Sequence, residues 1–257
     1  MKAKLLEQKF GLADKTFVVT GASSGIGRAM AGFLAEAGAN VVLVARRKQE
    51  LESACSEIEK LSQCRYVIAD LQDRGNLERV AAECTEAFGS VDGIINAAGI
   101  NLRQPPDQVS LETWDKTLNI NLATPFFFSR CFAEGMRARG YGRIINIASL
   151  QSARAFPNGL PYGASKAGIC QLTRAMSEAW SKYGITCNAI APGFFPTELT
   201  GPVFSDSDTR DWAANQTTIG RNGELDDLFG ATVLFASPAS SFITGQTLYV
   251  DGGFTAK

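Results

Sequence analysis

The sequence predicts an α/β fold: a single domain built on a doubly wound parallel sheet with helices on both faces. Three observations carry this. Seven short apolar segments alternate with helical patterns of ten or more residues, the order that gives parallel strands joined by right-handed crossovers. The second segment, NVVLVA at 40–45, is apolar at almost every position, as a strand buried on both faces must be. A glycine-rich turn, GASSGIG from Gly21, follows the first strand directly. The 257 residues, 45% hydrophobic, suffice for one large core, and no repeat, low-complexity tract or linker divides them.

The elements follow in order. Residues 1–13 form a polar arm with scattered charges and no apolar stretch of the kind a secretory signal needs. Strand one spans 16–21, and a helical pattern over 28–37 ends at Gly38. The strand at 40–45 leads into an amphipathic helix at 46–60, then a strand at 65–70 and a helix at 74–88. The fourth strand and its exit occupy 93–99, and helices are expected at 111–117 and 124–139. The fifth strand, RIINIAS, covers 143–149, and a helix through Tyr162 runs to about residue 182. Strand six covers 186–192. Residues 193–219, polar and aromatic by turns, read as a substrate lid with short helices rather than a disordered insertion. A helix at 224–236 and a strand at 247–252 complete the chain.

Composition excludes several functions. A net charge of −1 gives no reason to expect nucleic acid or a membrane surface as partner, and no apolar run spans a bilayer. The six cysteines are dispersed without a Cys-x-x-Cys pair, so they read as reduced, packed thiols of a cytoplasmic protein. There is no histidine, which rules out a Ser-His-Asp triad and any zinc site built on imidazole. No metal is expected. A general base must be Tyr, Lys, Asp, Glu or Cys.

The chemistry gathers at 149–166. Ser149 ends an apolar strand, where open α/β sheets hold their ligands. Tyr162 and Lys166 stand four apart, on one face of a helix. Alone, such a pair is an ordinary surface contact worth a few tenths of a kcal/mol. Beside a ligand site it becomes a proton-transfer device. An ammonium lowers a phenol whose ordinary pKa is about 10, and a hydroxyl beside it holds a carbonyl or alcohol oxygen.

The other end of the sheet suits a dinucleotide. Gly21, Ser23, Ser24, Gly25, Ile26 and Gly27 form a turn that lets a pyrophosphate reach backbone N–H groups at a helix N-terminus. At the tip of strand two, where an Asp or Glu would hold the ribose hydroxyls of NAD, stand Ala45, Arg46 and Arg47. No carboxylate repels a 2′-phosphate there, and a guanidinium can bind one, so NADP(H) is favoured, with NAD(H) still open. Asp70 and Leu71 can hold the adenine. Asn96, Ala97, Ala98 and Gly99 can let backbone pass close to the cofactor. Either group of positions can also be a plain strand exit.

These motifs, from Thr20 through Gly27, Asn96 to Gly99, Asn121, Ser149, Tyr162-x-x-x-Lys166 and Pro192-Gly193, resemble the short-chain dehydrogenase/reductase family over residues 12–255. The resemblance implies a Rossmann-type sheet of order 3-2-1-4-5-6-7 and reversible hydride transfer between a nicotinamide and an alcohol/ketone pair. It implies that Tyr162 is the general acid/base, that Ser149 polarises the substrate oxygen, and that Lys166 lowers the tyrosine and binds the nicotinamide ribose. Asn121 would hold a water leading from Lys166, and Pro192, Gly193 and Thr197 would border the nicotinamide. A homotetramer is implied too, through helices near 125–139 and 160–183 and the last strand, with Phe126 to Phe128 suiting a helix buried on more than one face.

The C-terminal half looks like gluconate 5-dehydrogenases and related sugar-acid and polyol dehydrogenases. Gln151, Arg154 and Phe194 would then contact substrate, and Asn101, Arg103 and Arg154 sit on loops facing it. An arginine there can pair with a carboxylate or stand as a solvated charge. Three alternatives stay open: a 3-oxoacyl-carrier-protein reductase, a broad carbonyl reductase, and an NADPH-binding regulatory scaffold without turnover. The first needs a basic docking face, and Lys182 with scattered arginines gives no evident cluster.

Overall fold

Seven strands run parallel in one sheet in the computed structural model, which describes residues 2–257. They are β1 (Thr16–Thr20), β2 (Asn40–Ala45), β3 (Cys64–Ile68), β4 (Gly93–Asn96), β5 (Gly142–Ile147), β6 (Ile185–Pro192) and β7 (Thr247–Val250). Their spatial order is β3-β2-β1-β4-β5-β6-β7. The chain winds outward from β1 to β3 and then crosses back to β4, so the order reverses between β1 and β4. Thr20 and Asn96 face each other there in register. A crevice at such a reversal, beyond the carboxyl ends of the strands, is where this architecture receives ligands.

Period-two alternation sorts strand residues onto two cores. Phe17, Val19, Val41, Leu43, Ile95 and Ile145 pack on one face, with α2 (Gly25–Glu36), α3 (Lys48–Ile58) and, later in the chain, Leu228 and Phe235. Val18, Val42, Val44, Ile94 and Ile144 pack on the other. That face is covered by α4 (Leu77–Glu86), α6 (Thr124–Arg139) and α7 (Leu160–Trp180), which contribute Val80, Phe128, Phe132 and Met176. Helix α7 carries Tyr162 and Lys166. Its buried residues, among them Tyr162, Ser165, Lys166, Ile169, Thr173 and Met176, recur at intervals of three and four and form one inner stripe.

Three local features differ from sequence expectation. The polar arm contains a helix, α1 (Lys2–Phe10), whose Leu5, Leu6 and Phe10 remain exposed, so no buried stripe marks it in the sequence. Helix α5 (Leu111–Leu118) does not end before α6, because Asn119–Ala123 continue as a π-helical turn that brings Asn121 into the interior. Wide turns of this kind recur at functional sites. The stretch after β6 holds the expected short helices, α8 (Gly201–Phe204) and α9 (Ser207–Gln216), while the last helix, α10 (Phe229–Ala236), starts later than the expected 224 because a 3-10 turn (Leu225–Leu228) precedes it.

Candidate active site

Ser149 follows β5 in an extended conformation and caps the short 3-10 turn Leu150–Ser152. Its Oγ accepts from the Gln151 N–H at 3.2 Å, while Ser152 Oγ accepts from the Ser149 N–H at 3.3 Å. This reciprocal cap fixes the serine at the mouth of the sheet. Tyr162 and Lys166 enter the same space from the first turns of α7, both buried. The Lys166 ammonium donates to the Ile147 carbonyl at 2.6 Å, at the end of β5.

Burial raises the Tyr162 phenol above its ordinary value, and the Ser149 hydroxyl and then the Arg103 guanidinium pull it back. The lysine lies alongside the ring, 5.7 Å from its centre, because an i,i+4 neighbour on a helix reaches the ring before the distal hydroxyl. Burial also pushes the Lys166 ammonium down to about 8. Ser149 and Arg103 thus oppose the rise that burial imposes on the tyrosine.

These groups open into one cleft of about 780 Å³ that continues to the glycine turn. Gly21 has φ of +66°, and a Cβ there would lie 2.8 Å from the Ala98 backbone nitrogen. Only glycine lets the turn come so close to the β4 exit. Thr20 Oγ1 ties the two together, accepting from the N–H groups of Ala97 and Ala98 at 3.0 and 3.1 Å. Ser23, Ser24, Gly25, Ile26 and Gly27 line the cleft, as do Arg46, Arg47, Asp70, Leu71, Ala97, Ala98, Gly99, Pro192, Gly193 and Thr197. Arg47 Nη2 donates to Ser23 Oγ and Ser24 Oγ at 3.1 and 2.8 Å. Arg46 is mostly exposed, and its nearest acid is Asp70 at 3.9 Å.

Gln151, Phe194 and Arg103 also line the cleft. Three residues expected at the site do not. Asn96 turns into the core, where its amide donates to Ser129 Oγ at 2.9 Å and Asn146 Oδ1 at 2.8 Å, so its side chain joins β4 to β5 and α6. Arg154 points away towards the main-chain oxygens of Thr255 and Lys257, which satisfy its guanidinium. Asn121 supports the site from behind. Its Oδ1 accepts from the Ile100 N–H and its Nδ2 donates to the Ile100 carbonyl, both at 2.9 Å, and Nδ2 also donates to Ser165 Oγ at 3.0 Å.

A family model described as enoyl-(acyl carrier protein) reductase matches residues 21–255. The chain belongs to the short-chain dehydrogenase/reductase family. It is an oxidoreductase acting on CH–OH groups. It is 39% identical over 249 residues to a gluconate 5-dehydrogenase of Gluconobacter oxydans (strain 621H), covering 96% of this chain and 97% of that protein. An NAD-dependent glycerol dehydrogenase of Listeria innocua serovar 6a is 34% identical over 257 residues and the whole of both chains. The crystal structure of a gluconate 5-dehydrogenase from Burkholderia cenocepacia J2315 in complex with NADP and tartrate superposes with a TM-score of 0.93. That protein is 36% identical, with 98% of this chain and 99% of that chain covered.

Within the short-chain dehydrogenase/reductase frame, the structure adds residues that the sequence did not single out. Phe156 and Trp212 line the substrate end of the cleft beside Phe194. Phe254 stands behind them, its ring centre 6.0, 5.8 and 6.4 Å from Phe156, Phe194 and Trp212. Four separate segments supply these rings, and the only hint in the sequence is the recurrence of aromatics in otherwise polar stretches. Glu198, which pairs with Arg47 at 3.1 Å, left no such hint. Among the described residues no cluster of three or more His, Cys, Asp or Glu could hold a metal, and no helix is long and apolar enough to cross a membrane.

Proposed function

We propose that the protein is an NADP(H)-dependent dehydrogenase interconverting a secondary alcohol and a ketone on a sugar acid or polyol, with gluconate and 5-ketogluconate the leading pair. The observation that carries this reading is a guanidinium, Arg103, in the same cleft as Ser149, Tyr162 and Lys166. A carboxylate paired with Arg103 would hold a sugar acid by one end and leave its hydroxyls at the tyrosine. The gluconate dehydrogenase relatives, one of them bound to NADP and tartrate, support that class of substrate.

The residues present fit the dinucleotide. Ser23, Ser24 and Gly25 line the cleft where a pyrophosphate would lie, and the start of α2 offers free N–H groups to its charge. Arg47 presents N–H donors beside Ser23 and Ser24, and Ala45 leaves the tip of β2 without a carboxylate, which favours a 2′-phosphate. Arg46, Asp70 and Leu71 would flank the adenosine, while Pro192, Gly193 and Thr197 would border the nicotinamide. A bound nicotinamide supplies or accepts the hydride.

The proton is the task of the chain itself. Tyr162 gives its phenolic proton to the oxygen in ketone reduction and takes it back in alcohol oxidation. The Ser149 hydroxyl donates to the same oxygen and stabilises charge as it develops. Lys166, with a pKa pushed to about 8, holds a proton that it can lose near neutral pH. Asn121 fixes the π-helical turn beside it, where backbone groups can hold a water leading to solvent. Gln151 and Phe194 flank the substrate. The whole chain, 1–257, would act as one domain with 193–219 as its lid. Four copies would associate through α6, α7 and β7, where Phe126, Phe127 and Leu248 are only partly covered.

Absorbance of the reduced nicotinamide tests the reading. Purified protein is given NADP⁺ or NAD⁺ with gluconate and small polyols, and NADPH with 5-ketogluconate and a 3-oxoacyl thioester. Turnover of the sugar acids with the phosphorylated cofactor supports the proposal. Turnover on the thioester alone replaces it with fatty-acid chemistry, and binding without turnover on any substrate leaves only the regulatory scaffold.

A further inference from the structure

We infer that Glu198 is an anionic place-holder on the 2′-phosphate site: it pairs with Arg47 and yields to a phosphorylated dinucleotide. The inference rests on the NADP(H) reading above. It assigns to Glu198 a part in choosing between the two nicotinamide dinucleotides.

The guanidinium of Arg47 spans the cleft. One nitrogen, Nη2, donates to Ser23 Oγ and Ser24 Oγ on the glycine turn. The other, Nη1, donates to Glu198 Oε1 at 3.1 Å, from a segment 151 residues further along the chain. That segment lies close over the start of α2, since a Cβ on Gly25 would meet the Thr197 side chain at 3.3 Å. The segment is also tied to itself, with the Thr197 N–H donating to Thr200 Oγ1 at 3.0 Å and the Thr200 N–H to Thr197 Oγ1 at 3.3 Å. Glu198 is thus carried on a short self-bonded turn that faces the arginine. Each charge steadies the other: the hydrogen bond raises the Arg47 guanidinium and lowers the Glu198 carboxyl.

Ion-pair strength decides what happens when another anion arrives. The Glu198 side chain is 64% exposed, and an exposed pair is weak because the released carboxylate regains its water. A phosphate monoester brings up to two charges and accepts two guanidinium N–H bonds at once, so it displaces a carboxylate that holds the guanidinium through one N–H. Glu50, 3.8 Å from Arg47 on its own helix, stays in place through the exchange. A dinucleotide with a free 2′-hydroxyl brings no competing anion and leaves the Arg47–Glu198 pair intact. Glu198 therefore weakens the phosphorylated ligand selectively.

The test is Glu198→Gln in the full chain, with Kd measured by titration calorimetry at fixed ionic strength. Four ligands are used: NADP⁺, NAD⁺, and the fragments 2′,5′-ADP and 5′-ADP. The variant is expected to bind NADP⁺ and 2′,5′-ADP about threefold to tenfold more tightly and the other two within about twofold of wild type. In an Arg47→Ala background the same substitution should change nothing. Unchanged or weaker binding of the phosphorylated ligands, or an equal gain for all four, overturns the place-holder. If the wild type does not prefer 2′,5′-ADP to 5′-ADP, the NADP(H) reading falls and the place-holder with it. A wild-type preference without a gain in Glu198→Gln removes the place-holder alone.

Discussion

Ser149→Ala removes one oxygen that acts in two directions, and the two effects can be read apart. Towards the backbone, Oγ accepts from the Gln151 N–H and caps the short turn after β5. Losing such a cap costs about 0.5–2 kcal/mol, which in a chain of this size is about 1–8 °C in Tm. Towards the cleft, the hydroxyl opposes the rise that burial imposes on Tyr162 and, on the proposed mechanism, donates to the reacting oxygen. Loss of one preorganised donor lowers kcat by about 100-fold to 1,000-fold, or about 3–4 kcal/mol. On the proposed mechanism alcohol oxidation needs Tyr162 as phenolate, so its acid limb follows the tyrosine. Without Ser149 one of the groups opposing burial is gone, and the limb moves to higher pH. Initial rates of oxidation from about pH 6 to 10 give the limb, and the KM for cofactor should stay within about twofold. Ser149→Thr keeps the oxygen and should restore most of the rate and return the limb towards wild type. An alanine variant within about tenfold of wild type, or one slowed with its acid limb unmoved, would refute the coupling of serine to tyrosine.

Arg47→Ala should raise the KM for NADPH about tenfold or more and leave NADH little changed, since charge-assisted hydrogen bonds are worth about 1.5–3 kcal/mol. Arg46→Ala should cost less than about fivefold, because that side chain is mostly exposed and meets only Asp70 at 3.9 Å; the opposite ranking would reassign the phosphate site. Lys166 should leave a mark on stability. The folded chain releases its proton near pH 8 and the unfolded chain near about 10.4, so the penalty of burying this ammonium is present in full below pH 8. It is relieved between those values, where stability gains up to about 3 kcal/mol from this group. Lys166→Met should lose that pH-dependent gain along with turnover, and parallel denaturation curves for variant and wild type would contradict it. Phe254→Ala should raise the KM for the alcohol severalfold without changing cofactor affinity, because Phe254 touches the aromatic wall of the cleft and not its nucleotide end.

The readable parts of this molecule are those fixed by neighbours in sequence. Strands β1, β5 and β6 are buried at every residue, so apolar side chains dominate them and announce them, and Tyr162 and Lys166 share a face because a helix turn brings them together. The glycine turn is legible for the same reason, its strand and helix lying on either side. Side-chain direction at a strand exit is a different matter. Asn96 ends β4 within reach of the cofactor motif, yet Ser129 and Asn146 pull its amide into the core from 33 and 50 residues away. Arg154 follows Ser149 by five positions, yet a main-chain oxygen about a hundred residues later turns it outward. Adjacent Arg46 and Arg47 look equivalent in sequence, and partners elsewhere decide between them: Asp70 takes one at a distance, while Ser23, Ser24 and Glu198 hold the other. Local spacing therefore marks where chemistry is possible, and long-range partners decide which of the marked side chains face it. The same logic explains why Glu198 was invisible: nothing near it in sequence requires a carboxylate, and its meaning comes entirely from the arginine it meets across the cleft.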